Sequence, residues 1–174
     1  MTRIAACICA LTFVAVVGAP HADAQKKRTQ PRSVKALAKY VVASLSKSDV
    51  KRYLKIAPTL ALMQKHCPGM PMGKEVVDKL YKKLTRGFNK CLKTANWKLP
   101  ITKVTVTGGG KKRAVKRCTG VWELKDIHVT VARGRNVLKI EIDDPYVLGG
   151  KTFGAAGRLR CTNTSRRVIP RPPG

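Results

Sequence analysis

The apolar residues of this chain repeat with a helical period as far as about Trp97 and alternate with period two beyond it. One segment cannot satisfy both periods, so helices come first and strands follow, which points to an α+β domain. In the first half Val34, Leu37, Ala38, Val41, Val42 and Leu45 share one helical face, with Ser33 as the N-cap. A second helix starts at Ser48-Asp49 and carries Val50, Tyr53, Leu54, Ala57, Leu60 and Ala61. Pro58 interrupts it, which predicts a kink or a break, and Cys67-Pro68-Gly69 stops it. The third helix runs from about Gly73 to Thr94 on a stripe that includes Val77, Leu80, Leu84, Phe88 and Cys91. Lys74, Lys79, Lys82, Lys83, Arg86, Lys90 and Lys93 cover its outer face, which reads as the solvated side of a helix packed on a core.

In the second half, Thr102, Val104 and Val106 alternate with Lys103, Thr105 and Thr107, and a Gly108-Gly109-Gly110 turn follows. Ala114 to Leu124 reads as a second strand and Ile127, Val129 and Val131 as a third. The inward parity changes between Trp122-Leu124 and Ile127-Val129, so a turn or bulge is expected near Lys125-Asp126. Arg133-Gly134-Arg135-Asn136 is a hairpin turn into Leu138, Ile140 and Ile142, which should face Ile127, Val129 and Val131. Asp143-Asp144-Pro145 ends that strand, and Lys151 to Cys161 can supply a fifth. The expectation is three N-terminal helices packed on a C-terminal antiparallel sheet of four to five strands. The alternative is a small β-barrel with an N-terminal helical extension.

Residues 1–24 carry the three parts of a secretory signal. Arg3 supplies the positive start, Ile4 to Val17 an apolar run, and Ala22-Asp23-Ala24 the small residues read at cleavage. The run is too short to span a bilayer comfortably as a helix. Residues 25–32 read as a disordered basic leader, 33–164 as a single α+β domain and 165–174 as a flexible basic tail. No later segment qualifies as a transmembrane span, so the expected location is periplasmic or secreted. Cleavage removes one basic and one acidic residue, Arg3 and Asp23, and leaves the net charge at +27. Such a surplus makes long-range attraction to anions unavoidable.

Cys7 and Cys9 leave with the signal, and Cys67, Cys91, Cys118 and Cys161 remain. An even count in an oxidising compartment predicts disulfides. Of the three pairings, Cys67–Cys91 and Cys118–Cys161 are favoured, because each then lies within one structural half. The histidines His66 and His128 suggest a zinc site with these cysteines, but no Cys-x-x-Cys or His-x-x-x-His spacing supports one.

No catalytic or cofactor motif survives scrutiny. Gly149-Gly150-Lys151-Thr152 resembles the end of a phosphate-binding loop, yet Pro145 stands where its first glycine belongs. Glu141, Asp143 and Asp144 could hold calcium, but their spacing matches no calcium loop, and strand alternation turns Glu141 and Asp143 outward. His128 and Asp126 lack a nucleophile element. The strongest remaining signal is basic. Lys111, Lys112, Arg113, Lys116 and Arg117 form the densest cluster, joined by Arg133 and Arg135 in one turn and by Arg158 and Arg160. These are the expected anion-binding residues. Of the aromatic residues Trp97, Trp122, Tyr146 and Phe153, Trp122 at least is expected to be buried. The function expected is a non-enzymatic binding protein without cofactors, engaging an anionic macromolecule or envelope surface: nucleic acid, lipopolysaccharide, anionic lipid or an acidic protein. The rivals are a hydrolase-like enzyme with a cleft site and an assembly subunit of an envelope complex. Mass spectrometry of the exported protein should find Gln25 as its first residue; a form that retains residues 1–24 would overturn the signal reading.

Overall fold

The computed structural model describes residues 30–71, 73–110, 112–134, 136–150 and 152–164. The expected signal, most of the leader, the tail, Lys111 and Arg135 lie outside these residues. Among the described residues, four helices precede eight strands. The helices are α1 (Val34–Ser46), α2 (Val50–Leu54), α3 (Leu60–His66) and α4 (Lys74–Thr94). The strands are β1 (Lys103–Gly108), β2 (Lys112–Ala114), β3 (Val121–Leu124), β4 (Ile127–Arg133), β5 (Asn136–Ile142), β6 (Pro145–Leu148), β7 (Thr152–Ala155) and β8 (Leu159–Asn163).

Local chemistry sets the helix ends. The Ser33 hydroxyl accepts from the Ala36 N–H at 3.1 Å, and the Asp49 carboxylate accepts from the Arg52 N–H at 2.8 Å. The expected second helix is two, because the break falls at Pro58: α2 ends at Leu54, and α3 restarts at Leu60 behind a Thr59 cap. That makes four helices among the described residues where three were expected.

The strands form two four-stranded antiparallel sheets instead of one sheet of four to five strands, and no barrel is found among the described residues. The first sheet has the order β1-β4-β5-β8 and the second β2-β3-β6-β7. The parity change at Lys125-Asp126 is therefore more than a bulge: β3 belongs to the second sheet and β4 to the first. The chain also crosses between the sheets from β1 to β2, at Asp143-Asp144 between β5 and β6, and from β7 to β8. The β4–β5 hairpin has the expected register, with Ile127 opposite Ile142, Val129 opposite Ile140 and Val131 opposite Leu138. The expected strand from Ala114 to Leu124 is a β2–β3 hairpin, folded back by the Gly120 turn with φ of +68°.

The main core fills the space between the helices and the first sheet. Leu37, Val41 and Leu45 of α1, Leu84 and Phe88 of α4, and the inward residues of β4 and β5 are all buried. Tyr53 of α2 stacks on Phe88 with ring centroids 5.0 Å apart. Trp97 is also buried and donates from its indole N–H to the Cys91 carbonyl at 2.9 Å. Trp122 is not buried as expected: it is 41% exposed on β3, a strand of the second sheet, and stands outside the main core between the helices and the first sheet. No helix of the described residues is long and apolar enough to cross a membrane.

Both disulfides form, but the favoured pairing is overturned. The bonds are Cys67–Cys118 and Cys91–Cys161, each joining the helical half to the strand half. The first ties the end of α3 to the β2–β3 hairpin, where His66 and Thr119 also exchange hydrogen bonds: the Thr119 N–H donates to the His66 carbonyl at 2.6 Å, and His66 Nδ1 lies 3.1 Å from the Thr119 carbonyl. The second ties α4 to β8. Chain-entropy arguments give a bridge spanning 70 residues about 4 kcal/mol. Non-reducing peptide mapping should recover these two pairs. The Cys91→Ala/Cys161→Ala double variant should lose about 4 kcal/mol in urea unfolding.

Candidate anion-binding groove

The face of α4 opposite its core stripe carries Lys79, Lys82, Lys83, Arg86 and Lys90 at steps of one, three and four residues. These five cations extend over about 16 Å of helix axis. The buried stripe is Leu84, Gly87, Phe88 and Cys91, and Gly87 is the residue that seats the helix. A Cβ there would stand 3.0 Å from the Leu159 carbonyl oxygen and 3.3 Å from the Leu159 nitrogen. Glycine therefore lets α4 lie directly on the backbone of β8, one of the two edge strands of the first sheet. One turn further on, the Cys91–Cys161 bond fastens the contact covalently.

This seating brings Arg158 and Arg160, which flank Leu159, beside the helix cations. The result is an open groove of about 640 Å³ between α4 and β8 that contains seven basic side chains. The basic face continues around α4 past Tyr81 and Asn89 to Lys93. Among the described residues, no ion pair reaches the five helix cations. Arg160 is partly compensated, lying 3.0 Å from an Asp143 carboxylate oxygen and 3.7 Å from one of Glu141. Like charges held this close repel, and a bound polyanion would relieve the repulsion.

The other expected anion-binding residues do not converge on this groove. Lys112, Arg113, Lys116 and Arg117 are exposed on the β2–β3 hairpin. Arg113 is paired with Glu123 at 2.5 Å, and Lys112 shares its shallow surface with Glu123, Asp126 and Asp144, so this cluster is partly neutralised. Arg133 is a correction. It is 3% exposed, and its guanidinium donates to the Asn96 carbonyl at 2.6 Å and to the carbonyls of Trp97 and Leu99. The same group lies 5.2 Å from the centre of the Trp97 ring. Arg133 therefore ties the segment between α4 and β1 to the β4–β5 hairpin and is not available to a ligand. Burial lowers its pKa, the sign expected when a cation loses water.

The carboxylates gather where the chain changes sheets. Asp126, Glu141 and Asp143 place oxygens within 4.8 Å of one another. The Arg160 guanidinium supplies a counter-charge to two of them, and the Asp126 carboxylate accepts from the Asp144 N–H at 3.4 Å. Burial raises the pKa of Asp143 and of Asp144; Arg160 opposes this at Asp143 and Lys83 opposes it at Asp144. Of the acids considered for calcium, Asp144 stands apart from the three-residue cluster.

A second concavity lies between α3 and the second sheet. It encloses about 230 Å³ and is mainly apolar, with Leu62 and Met63 of α3 facing Val115, Val121 and Leu148, and with both cysteines of the Cys67–Cys118 bond in its wall. Compared with protein-family models, with curated proteins and with solved structures, the chain gives no significant match.

The basic face of α4 was visible in the helical periodicity, but nothing local told that Arg158 and Arg160 would lie against it. That juxtaposition depends on Gly87, whose role is a tertiary one. Gly87→Val should therefore destabilise the fold despite the poor helix propensity of glycine, by about 2 kcal/mol from overpacking. Arg133→Ala should cost about 3 kcal/mol by removing a buried hydrogen-bonded cation, and Arg133→Lys should recover little of it, since one ammonium cannot reproduce the planar fork. Equilibrium urea unfolding would measure both; an Arg133→Ala variant as stable as the parent would refute this role.

Proposed function

We propose that the chain is an exported, non-enzymatic binding protein that engages an anionic macromolecule or envelope surface through the groove between α4 and β8. The observation that carries this reading is the convergence of five α4 cations with Arg158 and Arg160 in one concave surface. A helix with a solvated basic face would need no such arrangement. A net charge of +27 would draw anions toward the whole molecule, and the groove would hold them. Export is supported by the order of residues 1–24, and two disulfides agree with folding in an oxidising compartment.

The groove differs from the hairpin cluster in a way that charge reversal can read. Lys82→Glu/Arg86→Glu/Lys90→Glu should weaken binding to an anionic polymer or vesicle at physiological salt at least tenfold. The control Lys112→Glu/Lys116→Glu/Arg117→Glu makes the same change in net charge on the hairpin and should weaken it less than threefold. The slope of log affinity against log salt should become shallower in the groove variant, by about 0.7 for each single-strand phosphate that no longer meets a cation. Equal weakening in the two variants would mean that net charge alone acts, and indifference of the parent to nucleic acid, lipopolysaccharide and anionic vesicles alike would end the reading.

A further inference from the structure

The apolar concavity and the basic groove meet at one turn. Ala156 lines the first and Arg158 the second, and Gly157 between them lies against the backbone of Asp143 and the Cβ of Asp144. Asp144 stands on the rim of the apolar concavity, within electrostatic reach of Lys83 in the groove. Tyr81, three residues before Leu84 on α4, is likewise within electrostatic reach of Tyr146 on the apolar wall. A greasy surface and a cationic one therefore adjoin across a divider one residue wide, Gly157.

The apolar side has the marks of a surface awaiting cover. Helix α3 has no fully buried residue, although Leu60, Leu62 and Met63 are large and apolar. Its position is not loose, for the Cys67–Cys118 bond and the paired His66 and Thr119 hold it to the β2–β3 hairpin. The concavity between them thus persists instead of collapsing. At about 230 Å³ it falls below the roughly 300–1,000 Å³ of a pocket for a drug-sized ligand, and it suits the end of one hydrocarbon chain. Of the two acids on its rim, Glu123 is paired with Arg113, and Asp144 has the carboxylates of Glu123, Asp126 and Asp143 as well as Lys83 within electrostatic reach. The cations that an anionic head would meet are those of the groove, beyond the turn.

We propose that pocket and groove together bind a single-chain anionic amphiphile. The hydrocarbon end enters between α3 and the second sheet, and a phosphate-bearing head crosses the Ala156-Gly157-Arg158 turn to lie against Lys83 and Arg158. This deepens the groove reading and rests on it: the anion would belong to a lipid of the envelope, and the pocket would select lipid over phosphate polymers that lack a chain.

Titration calorimetry of the purified, disulfide-bonded chain would test it with decyl phosphate below its micellar concentration, decyl maltoside as the uncharged equivalent and inorganic phosphate as the chainless one. Decyl phosphate should bind at least tenfold more tightly than either control. Each methylene added from hexyl to decyl should strengthen binding about three- to fourfold until the pocket is full. Ala156→Phe, which fills the pocket, and Leu62→Asn, on the partly open face of α3, should each weaken decyl phosphate at least tenfold and leave binding of an oligonucleotide unchanged. The oligonucleotide measurement also reports that each variant is folded, and Leu62→Asn serves if Ala156→Phe is not. Lys83→Glu should weaken decyl phosphate and spare decyl maltoside. If chain length has no effect while the oligonucleotide still binds, the amphiphile site is refuted and the groove stands. If neither probe binds, both readings fall.

Discussion

The seating of α4 on β8 is the contact on which the rest of the structure depends. It needs a glycine at position 87, because any side chain there would meet the Leu159 backbone, and it is made permanent one turn later by Cys91–Cys161. On the inner side of this contact Leu84, Phe88 and Leu159 join the main core. On the outer side it assembles seven cations in one groove. Burial of the apolar stripe and the covalent bond oppose a repulsion that would otherwise push helix and strand apart. The same contact thus stabilises the fold and creates its most highly charged surface.

A chain with so few acids places them where they hold the fold. Asp126, Asp143 and Asp144 sit at two of the four points where the polypeptide passes from one sheet to the other, and Glu141 and Glu123 are near. There they take backbone and arginine hydrogen bonds that hold the corner together. Arg160 shows the compromise: it points into the groove yet is anchored by Asp143 and Glu141. Arg133 shows the opposite solution, a cation withdrawn from solvent and satisfied by carbonyls and an indole ring. A count of basic residues would treat these two arginines alike. Only one of them faces the groove.

Periodicity made the elements legible. Ser33 and Asp49 as caps, the break at Pro58, the span of α4 and the register of β4 on β5 all follow from interactions within a few residues or across one two-residue turn. Short-range order of that kind is encoded where it acts. The parity change at Lys125-Asp126 was also legible as an event, but its meaning was not, because a bulge and a passage to another sheet leave the same local pattern. The short strands β6 and β7 do not stand out from their neighbours for the same reason: four residues each, one opening on Pro145 and the other containing Gly154, carry too little alternation.

The sequence by itself determined an α+β chain with a basic amphipathic helix, an N-terminal segment ordered like an export signal, and a charge that favours anionic partners. These are sums and short-range patterns, and they do not depend on which distant residues meet. Tertiary structure alone decided the disulfide partners, the division of the strands into two sheets, the exposure of Trp122, the burial of Arg133 and the meeting of α4 with Arg158 and Arg160. Each is a contact between residues far apart along the chain. Which of them forms is settled by how the helices and sheets fill space together, and no local signal records that.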